Sequence, residues 1–257
     1  MDDKILDDLY EEGLRLVDGA AEENVLCRLV GGMAIRVRCE PGLHPAFRRE
    51  YHDIDLVTTG KRKRDLTAYL TKAGYEPNTR FNAVNGSTRL VFYDLPHERQ
   101  LDVFVGGFEM CHLLPIAARI DLEPRTIPLA ELLLMKLQIF KLNLKDLTDI
   151  WAVVYHHEVG GSDGDLVNGS YVAEVLAGDW GLWRTSLQTV EAAKDRLGEA
   201  ALSDEERDMI RQRLSRLWEM VEAAPKGLRW RSRAKIGEKL RWYQLPEEIA
   251  HAVGNAP

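Results

Sequence analysis

The sequence is poor in cysteine. Its three cysteines, Cys27, Cys39 and Cys111, are odd in number and far apart. They form no Cys-x-x-Cys pair, which excludes a zinc ribbon or redox motif and fits a reduced, cytoplasmic setting. Long apolar runs are missing too. None approaches the roughly 18 residues a membrane span needs, so no transmembrane helix is expected. The first residues, Met-Asp-Asp-Lys-Ile-Leu-Asp-Asp, are acidic where a signal peptide starts positive, so none is expected. Low-complexity tracts and internal repeats are absent. So are Gly-x-x-x-x-Gly-Lys-[Ser/Thr], Gly-x-Gly-x-x-Gly and His-Glu-x-x-His, which removes the P-loop, the dinucleotide fingerprint and the zinc-protease helix. His156-His157-Glu158 has no metal-ligand spacing.

What is present is ordinary globular material. The 257 residues are 45% apolar and 29% charged, enough for one large domain or two small ones. A net charge of −7 makes the whole surface no magnet for nucleic acid. The charge is uneven, however. From Arg211 to Arg241, ten Lys/Arg stand against three Glu, leaving +7 there and −14 over the other residues. This asymmetry points to an anionic partner at one end.

Periodicity gives the organisation. Residues 3–17 have helical spacing. Residues 25–30 read as a buried strand that runs into Gly31-Gly32 and a helix over 33–38. Asp53 to Val57 alternates as a strand, and residues 61–73 read as a helix stopped by Gly74. Asn85-Gly86 predicts a hairpin over 80–94. Gln100 to Val105 is a further strand. Pro128 opens one long helical stretch to about His156. A loop follows, with a linker candidate near 159–166. Helices are then expected over 170–177, 181–197, 204–223 and 227–241. The order predicts an α/β (α+β) fold: a mixed sheet with flanking helices over 1–125, then a helical domain over 126–257.

Three features of the first half belong together. Gly31-Gly32 sits between strand and helix, where backbone can approach a ligand and helix-start N–H groups can hold phosphate. Asp53 and Asp55 stand two apart on a strand, so both carboxylates share a face. They repel unless a cation lies between them, and hard divalent ions take oxygen ligands. Asp102 lies on a later strand. If that strand neighbours the first, three carboxylates converge, a set suited to two magnesium ions.

Gly31-Gly32-Met33-Ala34, Asp53-Ile54-Asp55 and Leu101-Asp102-Val103 resemble the motifs of the nucleotidyltransferase superfamily related to DNA polymerase beta. The resemblance covers about residues 28–105. It implies that Asp53, Asp55 and Asp102 bind magnesium in a two-ion site. It also implies that Asp102 helps deprotonate an acceptor hydroxyl, and that Gly31, Gly32 and Met33 contact an NTP. One departure stands out: many members place Ser after the first Gly, and Gly32 has no hydroxyl.

Lys136 and the run Lys145-Asp146-Leu147-Thr148-Asp149 resemble the Lys and Lys-Asp-x-x-Asp motifs of the AbiEii/AbiGii (MenT-type) toxin family. This implies roles for Lys136 and Asp146 at the nucleotide, an RNA acceptor such as a tRNA 3′ end, and an antitoxin partner. Helix geometry singles out Lys136 independently. On an unbroken helix it falls inside the apolar face, with Lys141, Lys145 and Asp149 opposite. An ammonium there needs an anion, or else it snorkels at the edge of the stripe. Asn143, if it caps a new helix, changes these orientations.

Two basic segments remain. Lys61-Arg62-Lys63-Arg64 opens a helix against its dipole, which an anionic partner nearby would offset. Arg48, Arg49 and Tyr51 just precede the acids, within reach of phosphate. At the other end, Arg229, Arg231, Arg233 and Lys235 interleave with Trp230, Trp242 and Tyr243, a composition that suits RNA. Helical spacing equally allows Leu228, Trp230, Ile236 and Leu240 to be core. The reading is therefore a magnesium-dependent nucleotidyltransferase acting on RNA. One alternative is a small-molecule acceptor, since the Gly-Gly and Asp-x-Asp run also resembles aminoglycoside and lincosamide nucleotidyltransferases. Another is a non-catalytic nucleotide- or RNA-binding module.

Overall fold

The computed structural model describes residues 5–244. The first helix, α1 (Leu9–Glu22), starts later than its periodicity suggested, because the Asp8 carboxylate caps it by accepting from the Tyr10 and Glu11 amides. The beginning of that expected helix, residues 3 and 4, lies outside the described residues. Strand β1 (Arg28–Leu29) then leads into helix α2 (Gly31–Cys39), β2 (Asp53–Thr58) and α3 (Lys63–Lys72). A short β3 (Glu76–Pro77), helix α4 (Thr79–Asn85), β4 (Arg89–Asp94) and β5 (Arg99–Val105) complete the main sheet. Its strand order is β1-β2-β5-β4-β3. Strands β2 and β5 run parallel at the centre, and the other pairings are antiparallel. This is the mixed sheet with flanking helices that the sequence predicts.

The hairpin expected around Asn85-Gly86 is not there. Residues 79–85 are helical, because Asn78 caps the turn by accepting from Phe81 N, and Gly86 N closes it on Asn82 O. The Asn82 side chain bonds the Val91 backbone at both N and O, docking α4 on β4. The true hairpin joins β4 to β5 through residues 95–98, with Glu98 in the left-handed region.

A small β6 (Phe108–Glu109) and β7 (Leu113–Leu114) pair follows, and then helices dominate. The stretch expected as one helix from 128 to 156 is two, α5 (Leu129–Leu137) and α6 (Leu144–His156). Asn143 and Asp146 form a reciprocal capping box that starts α6. Every residue of α5 except Lys136 is buried. A helix buried on nearly all sides belongs in a core, with its one buried acid, Glu131, paired to Arg119 at 2.8 Å. Each of its buried leucines contributes about 1.5–3 kcal/mol by leaving water.

Strands β8 (Val159–Gly160) and β9 (Val167–Asn168) pair in parallel across the loop predicted near 159–166. That loop is tied to the first half through Arg119–Asp163 and through Arg38, which donates to Gly164 O at 2.6 Å. Helices α7 (Gly169–Gly178), α8 (Trp180–Asp195) and α9 (Asp204–Ala223) match the expected ones closely, whereas α10 (Leu228–Ile236) stops short of the expected 241, because the chain turns at Gly237 with φ +60°. One buried hydrophobic cluster runs from Ile5 to Val221 through both halves. All three cysteines are free and buried, and burial pushes the Cys27 and Cys39 thiols up to about 12. Among the described residues, no helix is long and apolar enough to cross a membrane.

Candidate active site

The parallel β2–β5 pairing sets the acids in register. Asp55 lies opposite Asp102, and Asp53 opposite Gln100. On β2, Ile54 and Leu56 turn into the core, so Asp53 and Asp55 share the other face. Asp53 is exposed and Asp55 half-buried. Among the described residues neither carboxylate has a hydrogen-bond or ion-pair partner. Burial, and then the neighbouring Asp53 and Asp102 carboxylates, hold the Asp55 carboxyl well above its ordinary pKa; Lys136 and Arg89 offset only part of this. Like charges facing one another with no cation between them are what a divalent ion relieves.

Asp102 differs. Both of its oxygens are engaged. Arg89 approaches Oδ1 at 2.8–2.9 Å, and Gln100 donates to Oδ2 at 2.9 Å. As they stand, no three His, Cys, Asp or Glu side chains among the described residues gather closely enough to hold a metal ion. The donor set is all oxygen, the kind a hard cation takes, and part-exposed Arg89 occupies the Asp102 carboxylate. Arg89 was not singled out from sequence. It lies two residues from Val91, the register partner of Asp102, so it is a diagonal neighbour on the same sheet face. Only knowledge of the strand pairing reveals that.

Gly31 and Gly32 begin α2 beside these acids. Val30 N donates to Asp55 O at 2.9 Å, fixing the helix start against β2. Gly31 has φ +67°, and a Cβ there would stand 2.5 Å from Asp55 Oδ2. Only glycine fits so close to that carboxylate. A Cβ on Gly32 would overlap Arg49 Nη2. The Met33 side chain is in the core, which leaves its backbone alone to face a ligand.

The helix break changes the surroundings of Lys136. Asp149, expected on the opposite side of one long helix, stands on α6 beside it. Lys136 Nζ lies 2.8 Å from Asp149 Oδ2 and 3.1 Å from Asp146 Oδ1. Burial pulls the Lys136 pKa down, but Asp149 and Asp146 outweigh it, and the pKa ends above its ordinary value. The ammonium is thus charged and held, not snorkelling. Arg49 grips the same Asp149 with a fork, Nε to Oδ1 at 3.0 Å and Nη2 to Oδ2 at 2.9 Å. Burial works against its charge, and Asp149 more than restores it.

The other cations are placed differently. Arg48 is exposed. Lys63 Nζ donates to Gly86 O, and Arg62 pairs with Asp65, which accounts locally for part of the basic helix start. Helix α10, carrying Arg229, Arg231, Arg233 and Lys235, has no buried residue. Leu228, Ile236 and Leu240 are exposed and so not core, whereas Trp230 is half-buried against Trp183 and donates to Leu176 O. A groove of about 560 Å³ runs beside it, lined by Trp180, Trp230, Trp242, Tyr243, Arg229 and Arg233 among others. Arg233 stacks 4.5 Å above Trp180 and gives its N–H groups to Gly237 O and Leu240 O.

Fold and site together define a mixed-sheet α/β protein with a carboxylate face beside a glycine helix start. No family model matches the chain, and no curated protein sequence matches it. Among solved structures it is similar to an H. pylori protein described provisionally as a nucleotidyltransferase. The two are 12% identical, with a TM-score of 0.39, over 85% of this chain and 97% of the other. At that distance the functional reading rests on the site.

Proposed function

We propose that this chain is a magnesium-dependent nucleotidyltransferase, moving an NMP from an NTP to a hydroxyl acceptor with release of pyrophosphate. One observation carries the reading. Asp53 and Asp55 face one way from β2 with no hydrogen-bond or ion-pair partner among the described residues, Asp102 stands in register beside them, and Gly31 lies against Asp55. Asp53, Asp55 and Asp102 would hold the ions. Bound magnesium supplies a more acidic acceptor hydroxyl and positive charge against the leaving pyrophosphate. The chain supplies the rest. The backbone at Gly31, Gly32 and Met33 and the Lys136 ammonium bind the triphosphate, and Asp146 orients Lys136. Asp102, freed from Arg89, accepts the proton of the acceptor hydroxyl.

RNA such as a tRNA 3′ end is the acceptor we favour. The exposed cations of α10 and the ring-lined groove beside it support that choice. A toxin role with an antitoxin partner rests on the resemblance of Lys136 and Lys145–Asp149 alone. A second reading, a non-catalytic nucleotide- or RNA-binding module, is favoured by the Arg89 and Gln100 bonds that occupy Asp102. The test incubates the protein with magnesium, total tRNA and each α-labelled NTP, with Asp53→Asn as control. Label on tRNA from the wild type alone supports the transferase and identifies its nucleotide. Magnesium-dependent NTP binding with no labelled RNA moves the acceptor to a small molecule. Binding that needs no magnesium, or none at all, supports the non-catalytic reading.

A further inference from the structure

Gly32 offers no hydroxyl where many nucleotidyltransferases have one. The space is not empty: the Arg49 guanidinium fills it, so close that a Gly32 Cβ would overlap Nη2. Arg49 comes from the loop before β2, and three contacts aim it. Asp149, 2% exposed, takes Nε and Nη2. Glu50 O takes Nη1 at 3.1 Å. The Tyr51 ring lies 4.1 Å from Cζ. A guanidinium has five N–H donors, so two remain unengaged, one on each terminal nitrogen. Lys136 has three donors and gives two, to Asp149 and Asp146. Cationic N–H groups on both residues thus remain available around Gly32, next to the Gly31–Asp55 contact.

From this we infer that Arg49 takes the missing hydroxyl's place and donates to the phosphate chain of the NTP, with Asp149 as the positioning residue for both Arg49 and Lys136. The inference rests on the nucleotidyltransferase reading. A planar fork matches two phosphate oxygens at once, which one hydroxyl cannot do. The competing role is mechanical: Arg49 tying the 48–52 loop to α6. A tie changes stability only, whereas a phosphate ligand changes affinity for any triphosphate whatever its base.

The experiment is calorimetric binding of magnesium tripolyphosphate, and of each magnesium NTP, to the full chain. Wild type, Arg49→Ala and Arg49→Lys are compared, with thermal melts alongside. Arg49→Ala is expected to weaken binding about tenfold, alike for tripolyphosphate and every NTP that binds, as loss of a charge-assisted pair should. Millimolar guanidinium should restore part of it. Arg49→Lys keeps a cation on Asp149 and is expected to weaken binding a few-fold without unfolding, so it decides the matter if the alanine variant does not fold. A folded Arg49 variant with wild-type affinity overturns the assignment of Arg49 alone. A wild type that binds neither tripolyphosphate nor any NTP overturns the nucleotide reading, and Arg49 with it.

Discussion

Two acid clusters sit near one another and are in opposite states. On the strands, Asp53 and Asp55 have no hydrogen-bond or ion-pair partner among the described residues, and Asp55 is driven toward its neutral form by burial and by two like charges. On α6, Asp146 and Asp149 are paired with Lys136 and Arg49 at 2.8–3.1 Å. The residue type is the same; the difference is what faces it. The helix acids hold cations in place from within the chain. The strand acids lack a cation and are suited to take one from outside. Asp102 lies between these extremes, held by Arg89, an arginine exposed enough to leave.

Substitutions sharpen that contrast. Asp149→Ala leaves Arg49 and Lys136 without their shared anion and should destabilise by about 3–5 kcal/mol in urea or thermal unfolding. Asp53→Asn and Asp55→Asn should leave a folded protein whose nucleotidyl transfer falls on the order of 10³-fold, measured with labelled NTP. If Asp149→Ala instead proves as stable as wild type, the helix cluster is not a structural ion-pair network.

Glu131 on α5 serves as a control outside both clusters. Burial, partly offset by Arg119, pushes its pKa up from 4.5 to about 7. The native state therefore binds its proton more tightly than the unfolded chain. That contribution is full below about pH 4.5 and is lost as pH rises through about 7. Glu131→Gln, which cannot ionise, should flatten the dependence of stability on pH between those limits. An unchanged slope on denaturant titration would count against it.

Smaller effects follow. Arg89→Gln removes the cation competing for Asp102 and should tighten magnesium binding roughly tenfold, about one charge-assisted bond. Asp55→Asn, without divalent ions, should gain stability in thermal melts, since it relieves repulsion instead of breaking a pair. A loss of stability in that variant would mean that Asp55 already has a partner.

Strands β2 and β5 and the shared face of Asp53 and Asp55 were legible because they depend on local pattern. Period-two alternation puts Asp53 and Asp55 on one face, and Gly31-Gly32 marks a strand-to-helix turn. That Asp102 lies opposite Asp55 needed the strand order, which no spacing encodes. The break between α5 and α6 was harder, because Ile139 and Phe140 continue the apolar pattern across it. Periodicity alone cannot distinguish one helix from two when the connector is apolar too. The Asn143–Asp146 capping box was the available signal, and it moves Asp149 from the far side of Lys136 to its side. Helix α4 was missed because Asn-Gly ends a helix as readily as it turns a hairpin. Arg89 carried no signal at all, since its role is a diagonal contact across β4 and β5.

The most direct measurement of the contrast between the clusters is magnesium binding by calorimetry to wild type, Asp55→Asn and Asp149→Asn. The prediction is that Asp55→Asn abolishes binding and that Asp149→Asn, where folded, keeps it. Wild-type magnesium affinity in Asp55→Asn would contradict the account.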